Sequence, residues 1–364
     1  MKICLIGKNL TNIVLARILA NKKLTIDIIY NSENKNNFNS RTIGISKSNF
    51  DFLLNYEKKL KVFSWPVKKI KIFNEKQKKE NLFEFFEENR ENFFLLKYNK
   101  IYDHFKRSLH SFKNVNLIKI NKKIDEKFLF KDDKYNLIIN SDFRCHITKK
   151  YFNQKIEKKY FSSAHTCIIS HKKITNDIAI QIFTKYGPLA FLPLSNNKTS
   201  IVFSFFNKHK VSDKEIINLI NKFNIKYKIT KFGELEKSNL KFSMLKNYYY
   251  KNILSFGDLI HKIHPLAGQG FNMTLRDLSC LENKLRNTID LGLDIGSLDT
   301  LRTFSNEIKP RNFIHSISID LLKNFFSYKN QSFKKFRNNT IQTLNKNTSL
   351  KGLFFNIADN GFKF

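Results

Sequence analysis

The chain concentrates its turn-forming residues in one short window, GDLIHKIHPLAGQGFN at residues 257–272. This window holds three of the 11 Gly and one of the 5 Pro in 364 residues. An apolar strand pattern at 250–256 precedes it, and a helical pattern from about 271 to 288 follows. Strand, turn, extended segment, glycine-rich turn and helix in this order are typical of an open α/β sheet, in which ligands bind beyond the carboxyl ends of the strands.

The amino terminus has the pattern of a β-α-β unit, which requires a parallel sheet. A strand is predicted at 2–6, a helix at 11–21 and a second strand at 24–30. Between about 160 and 245, strand-like runs separated by short polar turns predict a mostly antiparallel sheet. The other predicted elements are helices at 45–58, 98–112, 212–223 and within 298–364, and strands at 114–120 and 135–140.

We therefore expect an α/β fold in three parts. A Rossmann-like domain with a parallel sheet and a β-α-β start carries an inserted, mostly antiparallel β-sheet domain and ends in C-terminal helices. The predicted boundaries are 1–60, 92–150 and 246–300 for the discontinuous first domain, 61–91 and 151–245 for the β-rich substrate domain, and 301–364 for the helical region.

The net charge is extreme: 65 Lys and Arg against 31 Asp and Glu give +34. One interpretation is a surface for nucleic acid or anionic membrane. The other is a composition biased towards Lys, Asn, Ile and Phe, as AT-rich codons would produce. The Lys residues are dispersed and no nucleic-acid motif occurs, so we expect no specific nucleic-acid partner. Dispersion therefore favours the compositional interpretation, which still permits attraction to acidic lipid.

The cysteine spacing, the first 20 residues and the length of the apolar runs indicate the cellular compartment. Four Cys lie far apart without a CxxC pair, which fits a reducing cytosol and argues against disulfides or a zinc site. The first 20 residues contain interrupting polar residues and no small-residue cleavage site follows, so no signal peptide is predicted. Because no run of 18 apolar residues occurs, no transmembrane helix is predicted.

The window at 257–272 suits a polyhydroxylated ligand that develops negative charge. A helix N-terminus offers unpaired N–H groups and partial positive charge, and glycines before it allow close approach. Asp258 directly follows a strand, where ligand hydroxyls are bound in such sheets. His261 and His264 could instead bind a metal, but Pro265 follows at once and no third ligand is near. We therefore predict no metal site.

The stretch GDLIHKIHPLAGQGFNMTLRD at 257–277 resembles the second flavin motif of the class A flavoprotein aromatic hydroxylases. The resemblance is strongest to the branch that acts in ubiquinone biosynthesis. Other segments follow in the same order as in that branch, and the resemblance covers essentially the whole chain. These segments are RTIGIS at 41–46, NLIINSD at 136–142, GPLAFLPLSNNKTSIVFSF at 187–205 and the C-terminal helices.

The resemblance implies that the cofactor is FAD and implies which residues hold it. Asp258 would hold a ribityl hydroxyl, and the backbone of Gly268, Gln269 and Gly270 would face the pyrimidine edge of the flavin. Arg41 would lie near the cofactor phosphates. No side chain is expected to act as a catalytic nucleophile. The other implied cofactor-binding residues are Gly7, Asp142, Gly257, Pro265 and Asn272.

The first dinucleotide-binding motif departs from the pattern of the family. Residues 7–12 are GKNLTN where G-x-G-x-x-G is expected. Asn9 is predicted to keep the turn, since Asn tolerates a left-handed backbone better than most residues. Asn12 should either push the helix away or find a buried partner. Tyr30 replaces the acidic residue expected for the ribose hydroxyls, and Phe143 replaces a Gly after Asp142.

The resemblance implies a monooxygenase that hydroxylates the aromatic ring of a polyprenylated ubiquinone precursor. In this family NAD(P)H reduces FAD, and O₂ then gives a flavin hydroperoxide. Other ubiquinone-biosynthesis proteins are the expected partners, and the expected location is the cytoplasm, peripherally bound to the inner face of the inner membrane. The alternative is a paralogue without catalysis, with weakened or lost FAD binding, that serves as a structural member of the same biosynthetic complex.

Overall fold

A computed structural model describes residues 1–31, 40–75, 83–86, 91, 93–121, 123–206, 211–264 and 268–327, and isolated residues 340, 347, 352, 356, 357 and 359–361. The strands are β1 (Lys2–Ile6), β2 (Thr25–Tyr30), β3 (Thr42–Ser46), β4 (Trp65–Val67), β5 (Lys69–Asn74), β6 (Phe83–Phe86), β7 (Phe93–Lys97), β8 (Val115–Lys119), β9 (Leu137–Asn140), β10 (Lys155–His171), β11 (Ile178–Thr184), β12 (Gly187–Ser195), β13 (Lys198–Phe206), β14 (Ile229–Phe232), β15 (Glu236–Leu245), β16 (Tyr249–Tyr250), β17 (Ile253–Ser255) and β18 (His261–Lys262).

The helices are α1 (Leu10–Leu19), α2 (Lys47–Leu54), α3 (Leu60–Phe63), α4 (Tyr98–Ser108), α5 (Glu126–Leu129), α6 (His146–Tyr151), α7 (Asp213–Phe223), α8 (Gln269–Asp290) and α9 (Leu298–Ser327). Short 3-10 turns occur at Leu109–Ser111, Lys131–Asp133 and Gly257–Leu259. None of the helices within the described ranges combines the length and apolar character needed to cross a membrane.

A six-stranded sheet in the order β16-β17-β9-β1-β2-β8 forms the first layer. The strands β17, β9, β1, β2 and β8 are parallel, and only β16 is antiparallel to its neighbour. All four residues of β9 are buried, as are four of the five in β1, because helices cover both faces of such a sheet. The predicted β-α-β start is confirmed, with α1 as its crossover helix.

A second sheet of nine strands runs in the order β18-β15-β10-β13-β12-β11-β5-β6, with β14 also paired to β10. Its pairs are antiparallel except for β11 with β5. The amphipathic helix α7 begins with a capping box between Ser212 and Glu215 and packs on one face of this sheet. A smaller antiparallel sheet, β3-β7-β4, packs beside the opposite face through Trp65, Leu95 and Leu192. The predicted fold class is thus confirmed.

Two details differ from the sequence prediction. The helix predicted at 45–58 is shorter, because residues up to Ser46 complete β3 and only 47–54 are helical in α2. The long helix predicted from about Phe271 begins two residues earlier, at Gln269, with Gly268 in a left-handed backbone as its N-cap. Of the strands in the segment 61–91, β5 and β6 lie in the nine-stranded sheet and β4 does not. The division into domains stays a prediction.

Candidate active site

The predicted site residues meet beyond the carboxyl ends of β1, β9 and β17. Gly7 follows β1 with φ of +104°, and a Cβ placed there would lie 3.1 Å from Cβ of Asp142, which follows β9. Gly257 follows β17 with φ of +64°, and a Cβ there would lie 3.0 Å from the side chain of Thr11. The tertiary structure therefore brings Gly7, Asp142 and Gly257 together around the start of α1, as adjacent parallel strands require.

The segment after Gly257 links the two large sheets. Asp258 lies in the 3-10 turn Gly257–Leu259 and its side chain is exposed. Directly after this turn, His261 and Lys262 form β18 and pair with Met244 and Ser243 of β15. The carboxylate predicted to meet ligand hydroxyls thus lies between the six-stranded and the nine-stranded sheet.

Charged groups lie near Asp258. The guanidinium of Arg41 lies 4.8 Å from the ring centroid of Tyr98, and the Tyr98 N–H donates to the Arg41 carbonyl at 2.9 Å. Burial raises the pKa of Tyr98, Arg41 opposes this and Asp258 adds to it. Loss of hydration lowers the pKa of Lys262, while Asp258 opposes that change. Arg41 and Asp258, 217 residues apart in the sequence, therefore act on the same groups.

The N-terminus of α8 lies against β3. Gly268 caps it with φ of +67°, and its alpha carbon packs so closely on β3 that a Cβ would lie 3.2 Å from the carbonyl oxygen of Gly44. A Cβ at Gly270 would meet no atom closer than 3.8 Å, on Ile263. Gly268 has no side chain that could cap this end. The partial positive charge of a helix N-terminus favours an anionic or electron-rich ligand here. Pro265 lies outside the described residues.

Asn272 is buried and makes four side-chain hydrogen bonds within the protein. Its Nδ2 donates to the carbonyls of Gly44 and Gly268 at 3.0 and 3.1 Å. Its Oδ1 accepts from the Ser46 N–H at 2.9 Å and from Asn49 Nδ2 at 3.1 Å. A carboxamide can make about four such bonds. Asn272 is therefore a positioning residue that fixes the glycine turn against β3 and α2.

A chain of buried polar side chains joins β18 to α8 and α9. His261 Nε2 lies 2.8 Å from Asp277 Oδ2, and Asn312 Nδ2 donates to both carboxylate oxygens of Asp277 at 3.1 Å. His261 is thus tied to α8 and α9. Among the described residues no group of three or more His, Cys, Asp and Glu has the arrangement of a metal site.

The N-terminus of α1 is organised differently. Asn9 is extended, with φ of −120°, so the prediction of a left-handed Asn9 is wrong: Gly7 makes the turn instead. The Asn9 Oδ1 accepts the Asn12 N–H at 3.1 Å, and its Nδ2 donates to Ser141 Oγ at 2.8 Å. Asn9 is therefore the N-cap of α1, because its side chain replaces one missing backbone partner.

The amide nitrogen of Asn12 finds buried partners, as its position requires. Its Nδ2 donates to the carbonyls of Ile6 and Gly7 at 2.9 and 2.7 Å, and the residue is completely buried. The Leu10 N–H, in the first turn of α1, points to the Tyr98 hydroxyl and lowers the pKa of that group against the effect of burial. At the end of β2, Lys8 Nζ lies 4.5 Å from the ring centroid of Tyr30.

These contacts test the fit of FAD. The flavin end fits, because Gly268 places no side chain over the first turn of α8 and a Cβ at Gly270 would meet no atom closer than 3.8 Å. The dinucleotide end does not fit in the manner of G-x-G-x-x-G, because Asn9 and Tyr98 already bind N–H groups that a diphosphate would need.

Sequence reasoning missed Tyr98 and Lys262. Tyr98 follows β7, whose sequence FFLLK at 93–97 is an apolar run that could have been recognised as a strand. A strand there would have placed the next residue at a strand end. Nothing local distinguishes Lys262 from the other Lys residues, since pairing with β15 alone positions it.

Solved structures of other proteins share this fold. The structure of p-nitrophenol 4-monooxygenase PnpA from Pseudomonas putida DLL-E4 superimposes with a TM-score of 0.75 at 12% identity, covering 100% of this chain and 98% of that one. A variant of HpxO from Klebsiella pneumoniae, solved with FAD, gives a TM-score of 0.74 at 12% identity, covering 99% and 98%. The fold is that of the FAD-dependent monooxygenases.

Sequence comparison shows which proteins the chain resembles in sequence. Over 239 residues the chain is 27% identical to the ubiquinone biosynthesis monooxygenase COQ6, mitochondrial, of Xenopus tropicalis. That alignment covers 54% of this chain and 52% of the relative, so the chain spans about half the length of the curated relatives it matches. No protein-family model matches the chain. The resemblance to the ubiquinone-biosynthesis branch of the aromatic monooxygenases is confirmed.

Proposed function

We propose that the chain is a flavin-dependent monooxygenase that hydroxylates the aromatic ring of a polyprenylated ubiquinone precursor, with NAD(P)H as electron donor. The observation that carries this proposal is the Gly268 turn at the N-terminus of α8, which Asn272 holds against β3, together with Asp258 and Arg41, which both act on Tyr98. The relatives named for ubiquinone biosynthesis support the substrate class.

A bound flavin supplies the redox chemistry, and the residues of the chain bind and orient it. The α8 N-terminus stabilises negative charge on the ring edge, since a helix N-terminus acts as a fixed partial positive charge. The Asp258 carboxylate accepts hydrogen bonds from ribityl hydroxyls. The Arg41 guanidinium attracts phosphate. None of these roles requires a side chain to form a covalent bond with the substrate.

An apolar cluster beside the same loop supports an aromatic, prenylated substrate. Tyr160, Phe242 and Met244 are buried together, and Leu240 and Ile263 pack against them. Ile263 lies between Lys262 and the glycine turn, so this cluster adjoins the proposed flavin position. Burial of a ring and prenyl carbons there would exclude water from the reacting atoms. The prenyl tail also suggests a peripheral site on the inner face of the inner membrane, from the cytoplasmic side.

The test uses the purified full chain with FAD, NAD(P)H, O₂ and a polyprenylated phenol. We expect flavin absorbance that stays with the protein after desalting into flavin-free buffer, and a product heavier by one oxygen atom in mass spectrometry. Asp258→Ala should reduce both signals, whereas Asp290→Ala, an exposed Asp at the far end of α8, should reduce neither. Flavin binding without any oxygenated product would contradict the proposed reaction.

The second candidate function is a structural member of a ubiquinone-biosynthesis complex that has lost catalysis. The closed N-terminus of α1 favours it, because Asn9 and Tyr98 bind the N–H groups that normally hold a diphosphate. This candidate predicts no flavin absorbance at saturating FAD, and stable co-purification with other enzymes of the pathway.

A further inference from the structure

The loop between α8 and α9 carries a group of exposed leucines. Leu291 is 72% exposed, and Leu293 and Leu298 are each 55% exposed. They are three of the ten large hydrophobic side chains that are exposed among the described residues, and all three lie within 291–298. Single exposed hydrophobic side chains are normal on a protein surface, whereas a group of them indicates an interaction site.

Hydrogen bonds fix the backbone of this loop. Gly292 ends α8 with φ of +69°, and the N–H groups of Gly292 and Leu293 donate back to carbonyls of the last helical turn at 2.9 Å. A second turn follows, in which the Ser297 N–H donates to the Asp294 carbonyl at 3.3 Å. Leu293 and Leu298 flank this second turn on its two sides, so a fixed backbone presents both leucines to solvent.

Ile295 and Gly296 anchor the second turn to the six-stranded sheet. Ile295 is completely buried in the main core. Gly296 packs so closely that a Cβ there would lie 1.7 Å from the carbonyl oxygen of Asn136, which directly precedes β9. The loop therefore lies at the amino-terminal end of β9, whereas Asp142 follows its carboxyl end. A partner bound to the loop would leave the proposed flavin position free.

The same loop is acidic, in contrast to the chain as a whole. Residues 287–301 contain Asp290, Asp294 and Asp299 but no Lys or Arg, although Lys and Arg make up 65 of the 364 residues. All three Asp residues are exposed, and none forms an ion pair with a basic residue in the described part of the chain. Asp290 also adds its charge to the partial negative charge at the C-terminus of α8, where the last turn has no basic residue.

The charges indicate which partner fits the leucines. An anionic membrane would be repelled by the three carboxylates, and two copies of a chain with a net charge of +34 repel each other. A partner protein of small net charge, whose contact segment carries Lys or Arg beside apolar side chains, complements both the leucines and the carboxylates.

We propose that residues 290–299 form a docking surface for a partner protein that contributes a basic amphipathic segment. The apolar side chains of that segment cover Leu291, Leu293 and Leu298, and its Lys or Arg side chains pair with the Asp residues. Burial of the leucines supplies the affinity, while the carboxylates select a basic segment over an acidic one. Docking there is independent of the reaction, because the loop and the proposed flavin position lie at opposite ends of β9.

The probe for this surface is a short synthetic amphipathic helix of Leu and Lys with a fluorescent label. Its binding to the purified full chain is measured by fluorescence anisotropy, and we expect binding that weakens as salt rises. Leu293→Ser together with Leu298→Ser should weaken it at least about tenfold. Leu321→Ser is the matched control, since Leu321 is a 61% exposed leucine of α9 outside the loop, and it should leave binding unchanged.

A charge variant and a second peptide separate the two contributions. Asp290→Asn together with Asp299→Asn should weaken binding and reduce its dependence on salt. A peptide in which Ser replaces every Leu should not bind. Thermal unfolding reports whether each variant is folded, and the charge variant alone carries the test if the serine substitutions unfold the chain. Flavin absorbance should be the same in all these variants, so the proposed function and this proposal fail independently.

Three outcomes would overturn the proposal. The first is no binding of the Leu and Lys peptide, or equal binding by the unaltered chain and the loop variants. The second is loss of binding to anionic vesicles in the Leu293→Ser, Leu298→Ser variant, which would assign the loop to a membrane. The third is a dimer in sedimentation velocity that the same variant abolishes, which would assign the loop to a second copy of this chain.

Discussion

At the residue scale, single polar side chains set the geometry at the N-termini of α1 and α8. Asn272 ties β3, α2 and the Gly268 turn together, and Asn9 ties α1 to the residue after β9. Both are carboxamides, which carry donors and acceptors on one planar group and so can bridge backbone groups of two elements. The two side chains act differently, since Asn272 holds the carbonyl of Gly268 before α8 and Asn9 binds a first-turn N–H group of α1.

Asn272→Ala should reduce the free energy of unfolding by about 2–4 kcal/mol, because buried backbone groups of Gly44, Ser46 and Gly268 lose their partner. Flavin affinity should fall with it, since the glycine turn is no longer fixed. Urea denaturation monitored by circular dichroism measures the first effect. Asn287→Ala, at an exposed position of the same helix, is the control and should change stability by less than about 0.5 kcal/mol. Equal effects of the two substitutions would contradict the positioning role.

At the element scale, the packing of α8 against α9 depends on buried polar pairs. Arg276 Nη2 donates to His315 Nε2 at 3.0 Å, which requires that this nitrogen carry no proton. Burial lowers the pKa of His315 to about 3, and Arg276 and His261 add to this effect. Burial also lowers the pKa of Arg276 to about 10, against the pull of Asp277 and Asp359. The contact between these helices therefore depends on a neutral imidazole.

The stability of the chain should consequently fall as the pH falls below about 6.5, the ordinary pKa of His. The unfolded chain gains a proton on His315 in that range, whereas the folded chain gains it only near its lowered pKa of about 3. The slope contributed by one such group is at most about 1.4 kcal/mol per pH unit. Denaturant unfolding between pH 7 and 4 would measure it.

His315→Gln keeps an acceptor for Arg276 and removes the titration, so it should flatten this pH dependence. The exposed His110→Gln is the matched control and should leave the slope unchanged. A slope that is the same in His315→Gln and in the unaltered chain would show that other groups cause the acid sensitivity.

At the scale of the whole molecule, a net charge of +34 accompanies two large sheets joined through β17 and β18. The turn Gly257–Leu259 follows β17 of the six-stranded sheet, and β18 after it pairs at the edge of the nine-stranded sheet. The proposed flavin position therefore lies where the two sheets meet. From the prenylated substrate class we propose a peripheral position on an anionic membrane. This position would bring the junction of the two sheets near the lipid. Dispersed Lys residues can provide the attraction without a dedicated helix.

We expect the chain to sediment with vesicles that contain anionic phospholipid, and not with vesicles of neutral phosphatidylcholine. Binding should weaken steeply when salt rises from about 0.01 to 0.3 M, because the screening length shortens from about 30 Å to below 10 Å. Vesicle sedimentation across salt concentrations measures this. Binding that is equal for neutral and anionic vesicles, or insensitive to salt, would contradict an electrostatic membrane contact.

The sequence was sufficient to predict the features that depend on local pattern. Alternating strand and helix periods predicted the β-α-β start, and the run of short strands predicted the antiparallel sheet. The glycines at 257, 268 and 270 predicted the turn before α8, because Gly is the residue that accepts the positive φ observed at 257 and 268. The flavin-type window and its resemblance to the aromatic monooxygenases were likewise available from residue identities alone.

Only the tertiary structure decided what the side chains at these positions bind. The sequence could not show that Asn9 would cap its own helix or that Tyr98 would meet the Leu10 N–H. Nor could it show that the Asn272 side chain would form its hydrogen bonds within the protein. Each of these contacts joins residues that are distant in the chain, or depends on a backbone angle that propensity does not fix. Hydrogen bonds act over about 3 Å, so their partners are known only when packing has brought the elements together.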